Sequence, residues 1–207
     1  MFPNLYGQIK TMRPTLAVIY QAGMPTASFE EFARTVSGGP LRVHLEATEP
    51  QGPLAGIMWT MMTLSAAFIG GNYFGGMLKE LGKDHYLVLK DALAKLTQKT
   101  MEIPRIEPTL FGTTGKVDQT DPFSMGFSIW AELPNERRAK LLIPKVADKD
   151  DYATLSDAFF EFVKRCHEEG EDVLTGIGFD VSRKSNPITV AYNKATGAIE
   201  YANPFAH

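Results

Sequence analysis

The sequence predicts an α+β domain: a single antiparallel sheet of about five strands, helices packed on one face, and a long Gly-rich apolar helical segment. Three observations carry this expectation. Two pairs of short stretches, each pair joined by a turn, alternate apolar and polar residues, which is the pattern of a hairpin and so of antiparallel pairing. Other stretches repeat apolar residues every three to four positions, the period of a helix with one buried stripe. Between the first predicted strand and the first long helix, Pro50 to Leu78 runs 29 residues without a charged side chain.

The chain has 207 residues, 44% hydrophobic, with 21 basic against 24 acidic side chains and one cysteine. That length and apolar share suit one domain over 1–207, read as an N-terminal arm (1–27) and an α+β core (28–207). A disordered chain and a disulfide-built scaffold are excluded. A net charge of −3 supplies no global basic field for nucleic acid or an anionic membrane. The N-terminus lacks the basic segment, apolar run and cleavage site of a secretory signal, so the expected location is cytoplasmic, with peripheral membrane contact as a variant.

In the arm, Pro3, Pro14 and Pro25 interrupt any regular element, and Leu16 to Tyr20 reads as a strand or a helix end. Ser28 and Glu31 have the capping-box spacing, and Phe29, Phe32, Ala33 and Val36 form an apolar stripe that stops at Gly38 and Gly39. A short helix follows from these. Leu41, Val43, Leu45 and Ala47 alternate with Arg42, His44, Glu46 and Thr48, a strand with one buried and one wet face.

The uncharged stretch is long enough to span a bilayer, with Trp59 and Tyr73 toward its ends and small residues at Ala67, Gly71 and Gly75. Its glycines and the Gly70–Gly71–Asn72 break also fit a buried helical hairpin or core helix. An amphipathic helix continues through Tyr86, Leu89, Leu93 and Leu96, and residues 101–123 form a long Pro- and Gly-bearing loop of the kind used for binding. Phe127 to Leu133 and Ala139 to Ile143 make one hairpin, and Ile188 to Tyr192 with Ala198 to Tyr201 another. Between them Leu155, Phe159, Phe162, Val163 and Cys166 mark a helix capped by Asp150 or Asp151 and ending near Gly170.

Few residues carry a recognisable chemistry. Cys166 lies on the apolar stripe of its helix and reads as core, and its neighbour His167 points about 100° away, toward solvent. The four histidines, His44, His85, His167 and His207, lack the spacing of a metal site, so no metal or cofactor is expected. The run Gly112 to Lys116 has the glycines and lysine of a phosphate loop but the wrong spacing, with Val117 where Ser or Thr is required. The stretch from Lys145 to Asp172 holds nine acids and four basic residues, a solvated face or a dock for a basic partner. Trp130 falls on the nominally polar face of its strand, so that face is either covered or offers an aromatic anchor.

The expected function is a non-catalytic interaction or assembly module whose apolar region 54–78 buries against a protein partner or a second copy. The candidate contact residues are Trp59, Met61, Met62, Phe68, Gly71, Gly75 and Trp130. A membrane-active protein inserting 54–78 is one alternative. The other is an enzyme or small-ligand binder with a site near His44, His85 and the 101–123 loop; no nucleic acid partner is expected.

Overall fold

In the computed structural model, residues 15–38, 41, 43–49, 65–103, 122–145 and 149–203 are described. They run β1 (Leu16–Gln21), α1 (Ala27–Val36), β2 (Val43–Thr48), β3 (Ser65–Ile69), a π-helical turn (Tyr73–Met77), α2 (Leu78–Met101), β4 (Phe123–Glu132), β5 (Arg138–Pro144), α3 (Lys149–Glu169), α4 (Glu171–Gly176), β6 (Ile188–Asn193) and β7 (Ala198–Tyr201). The strands form one sheet in the order β2-β1-β3-β4-β5-β6-β7.

The single antiparallel sheet of about five strands is therefore overturned: the described sheet has seven strands and is mixed. Its pairings alternate. β1 with β2, β3 with β4 and β5 with β6 are parallel, whereas β1 with β3, β4 with β5 and β6 with β7 are antiparallel. Both expected hairpins are present as β4–β5 and β6–β7. The parallel pairs join strands that are not hairpin neighbours, each through a crossover carrying a helix, and local alternation does not disclose such pairings.

The long Gly-rich apolar helical segment is corrected as well. Residues 51–64 lie outside the described residues, and Ser65–Ile69, expected as part of that segment, is a strand buried on both faces. It pairs with β1 on one side and β4 on the other, and a strand in the middle of a sheet reads as continuous apolar sequence because neither face meets water. The Gly70–Gly71–Asn72 break is real, but it separates this strand from a helix. No described helix is long and apolar enough to cross a membrane. Within α2, Gly82 has φ 79° and ψ 178°, values outside the helical region, which kink the helix and which a residue with a Cβ adopts only under strain.

Of the expected arm, residues 16–21 form β1, placed between β2 and β3. β2 shares the sheet with the C-terminal hairpins but pairs directly with β1 alone among the described strands. The expected capping box is replaced by a Thr26 cap whose hydroxyl bonds the Glu30 carboxylate at 2.7 Å, while Glu31 pairs with Lys99 of α2.

All four described helices pack on one face. There Leu16 and Val18, Ala67 and Ile69, Ile129 and Ala131, Leu141, and Ile188 and Val190 meet Phe29 and Phe32 of α1, Leu89 and Leu93 of α2, and Phe159, Phe160 and Val163 of α3. Each Leu, Ile, Val or Phe side chain among these contributes roughly 1.5–3 kcal/mol on removal from water. Tyr20 stacks on Phe29 at 4.8 Å between ring centres. Lys90 to Asp157 and Tyr86 to Glu161 tie α2 to α3. The opposite face is buried too, and its apolar cluster is Ala17, Ala66, Phe68 and Trp130.

Two buried hydroxyls in the helical layer, Thr100 Oγ1 and Ser156 Oγ, find no hydrogen-bond partner among the described residues. An unsatisfied buried hydroxyl costs about 1–3 kcal/mol. Thr100→Val and Ser156→Ala are accordingly expected to leave the urea midpoint unchanged or to raise it, and a loss of more than about 1 kcal/mol would reveal a missed partner.

Candidate functional site

Alternation along β4 and β5 sends Ser128, Trp130, Lys140 and Leu142 to the face on which no described helix packs, opposite Ile129, Ala131, Leu141 and Ile143. Strand register aligns one row across that face: His44, Ala17, Phe68, Trp130, Lys140 and Thr189. Lys140 is 1% exposed, and its Nζ lies 5.3 Å from the centre of the Trp130 ring. The indole N–H donates to Ser128 Oγ at 2.7 Å, which fixes the ring's orientation. Thr189 donates its hydroxyl to the Ala202 carbonyl. Burial pushes the Lys140 ammonium down to about 7, because the charged form loses its water shell. The row thus brings together a buried amine, an indole and a hydroxyl in the middle of a rigid sheet.

A second polar cluster lies where β3 and β4 end. The Gly71 N–H, at the start of the helical segment, donates to Glu132 Oε2 at 3.0 Å, so the carboxylate sits at the positive end of that segment. His167 Nε2–H donates to the Glu132 carbonyl at 3.0 Å, and its ring stacks on Phe74 with centres 5.4 Å apart. His167 is therefore half-buried, where the sequence had it facing solvent. The interactions spend Glu132 and His167 on joining β4 to the start of α2 and the end of α3.

His85 is a tie of the same kind. A carbonyl only accepts, so His85 Nε2–H donates to Val36 O at 2.9 Å, and Nδ1 accepts the Tyr73 hydroxyl at 3.3 Å. The ring thereby joins the last turn of α1 to the π-helical turn, and burial raises the Tyr73 phenol well above its ordinary range. His44 lies on the other side of the sheet, 3.3 Å from Glu46 on the same strand. The structure does not bring His44 and His85 together, and residues 104–121 of the expected binding loop lie outside the described residues.

Among the other nominated residues, Phe68 (2% exposed) and Trp130 (6%) are opposite each other across β3 and β4. Gly71 packs against Glu132 and His167: a Cβ there would come within 3.5 Å of Glu132. Gly75 lies in the π-helical turn, and Trp59, Met61 and Met62 are outside the described residues. Cys166 is buried and its thiol is pushed up to about 12 by burial, which leaves it inert at neutral pH. The described residues contain no group of three or more His, Cys, Asp or Glu arranged to hold a metal. Lys140 was missed by the sequence reading, although an aromatic on a nominally polar strand face, opposite a lysine in the same hairpin, was its visible signal.

Two measurements follow. An unfolded lysine holds its proton up to about pH 10.4, whereas folded Lys140 releases it near 7. Between those values the unfolded chain binds more protons, so this group makes stability rise with pH. Lys140→Met is expected to be more stable than the parent at pH 6 in urea unfolding, with the gap narrowing toward pH 10; a gap independent of pH would contradict the buried amine. Glu132→Ala, by removing the acceptor of the Gly71 N–H, is expected to cost about 1–2 kcal/mol.

Compared with known proteins, the chain matches no family model, no curated protein and no solved structure.

Proposed function

We propose that the protein is a non-catalytic interaction and assembly module that pairs with a second copy of itself through the outer face of α2. The observation that supports this is the exposure of Leu87 (60%) and Val88 (40%), adjacent large apolar side chains on an otherwise polar helix surface. Lys83, Leu87 and Asp91 lie four residues apart and share one ridge of the helix. Laid antiparallel on its own copy about Leu87, this ridge sets Lys83 of each chain against Asp91 of the other, while the apolar side chains meet at the centre. Such a contact needs no group beyond those on the helix.

The reading extends the role expected of residues 54–78 to the helix that continues from them. Insertion of 54–78 into a membrane is supported less well, because residues 65–69 already have strand partners on both sides. The reading of a ligand site around His44 and His85 loses its motivation from their placement on opposite faces of the sheet.

Size-exclusion chromatography with light scattering tests the proposal. The full chain is expected at twice its monomer mass, and Leu87→Asp at the monomer mass with an unchanged circular dichroism spectrum. A parent chain that stays monomeric at high concentration, or a Leu87→Asp variant that still dimerises, removes it.

A further inference from the structure

We propose that the outer edge of β2 is a docking site for an extended segment of another protein, one in which apolar and basic residues alternate. The backbone fixes the site. The Ala22 N–H donates to the Thr48 carbonyl at 2.7 Å, so residues 44, 46 and 48 turn their backbone groups toward β1, while Val43, Leu45 and Ala47 turn theirs outward. Among the described residues β2 has no second strand neighbour, and none of them bonds these outward groups. The other edge of the described sheet is built differently. β7 spans four residues against six in β2, and its outward Tyr201 N–H already donates to the Ile177 carbonyl at 3.0 Å. Proteins keep sheet edges short or occupied in this way because an open one recruits a further strand.

The side chains select the partner. On the helix-facing side Val43 and Leu45 are half-buried against the core, and α1 packs beside β2, so apolar residues at every second position of an added strand would extend that layer. On the other side Glu46 keeps 21% of its side chain exposed and lies 3.3 Å from His44, and Glu49, just past the strand, is exposed. Two carboxylates against one imidazole make this end of the strand acidic, which calls for basic residues at the partner's intervening positions. In an antiparallel pairing Val43, Leu45 and Ala47 each exchange N–H···O=C bonds with the partner. Glu46 then falls at a position where facing side chains come closest, opposite a lysine or arginine.

Amide hydrogen exchange of the full chain, read residue by residue by NMR, tests the edge. In the free chain the amides of His44, Glu46 and Thr48 are expected to exchange at least about tenfold more slowly than those of Val43, Leu45 and Ala47. Slow exchange at the latter three overturns the proposal: if it deepens with protein concentration a second copy occupies the edge, and if it does not, the chain's own residues do. An acetylated octapeptide of alternating valine and lysine is expected to slow those three amides at least about tenfold, and its valine and glutamate counterpart to leave them unchanged. Glu46→Lys reverses that preference with an unchanged circular dichroism spectrum, and Leu87→Asp binds the lysine peptide as the parent does, which separates this edge from assembly through α2. No protection by either peptide, or a Glu46→Lys variant that still prefers the lysine peptide, also overturns the proposal.

Discussion

The hydrogen bonding of Ser65–Ile69 is the constraint on which the remainder of the fold depends. This strand is antiparallel to β1 and parallel to β4, so among the described strands it alone connects the β2–β1 pair to the C-terminal four strands. Its side chains serve both layers: Ala67 and Ile69 belong to the helix-facing core, and Ala66 and Phe68 to the cluster on the other face. A polar substitution anywhere along it lands in one core or the other. The small size of Ala66, and of Ala17 opposite Phe68, leaves room for Phe68 and Trp130 beside them, an alternation of small and large that lets neighbouring strands interdigitate.

The two faces solve different problems. The helix-facing layer is filled mainly by aromatic and aliphatic side chains, with a few polar groups bonded among them, such as the Ser65 hydroxyl, which donates to the Gly126 carbonyl at 2.8 Å, and that of Tyr73. The other face buries polar atoms in the middle of the sheet and satisfies them there: Thr189 donates to the Ala202 carbonyl, and Trp130 to Ser128 of its own strand. The first of these joins separate segments, so a mispaired register would leave the Thr189 hydroxyl unsatisfied, and the bond favours one arrangement over its one-residue slips.

Legibility in the sequence followed how directly water marks an element. Val43–Thr48 and the C-terminal hairpins alternate because one face of each element is partly wet or distinctly more polar, and α1 and α3 show their apolar stripes for the same reason. Ser65–Ile69 did not read as a strand because both of its faces are dry, and five apolar or small residues in a row fit a helix as well. The parallel pairings left no local trace, since their partners are separated by whole helices. His167 looked solvent-facing because Phe74 and the Glu132 carbonyl, which occupy it, come from elements more than thirty residues away. Nothing in the residues next to Lys140 marks it as buried, though Trp130 on the partner strand indicates a face hidden from solvent.

The arrangement of helices on a single face has a topological consequence. With β1 taken as pointing up, the crossover to β2 moves outward in one direction, while β5, also pointing up, crosses to β6 in the other. The β3-to-β4 crossover is the first of these turned upside down, so it has the same hand. Since α1, α2 and α3 all cover the same side, the connection through α3 must be of opposite chirality to the other two. About 98% of such crossovers in proteins are right-handed, set by strand twist. This chain therefore cannot be three repeats of one βαβ unit: at least one of its crossovers winds against the twist of its own strands.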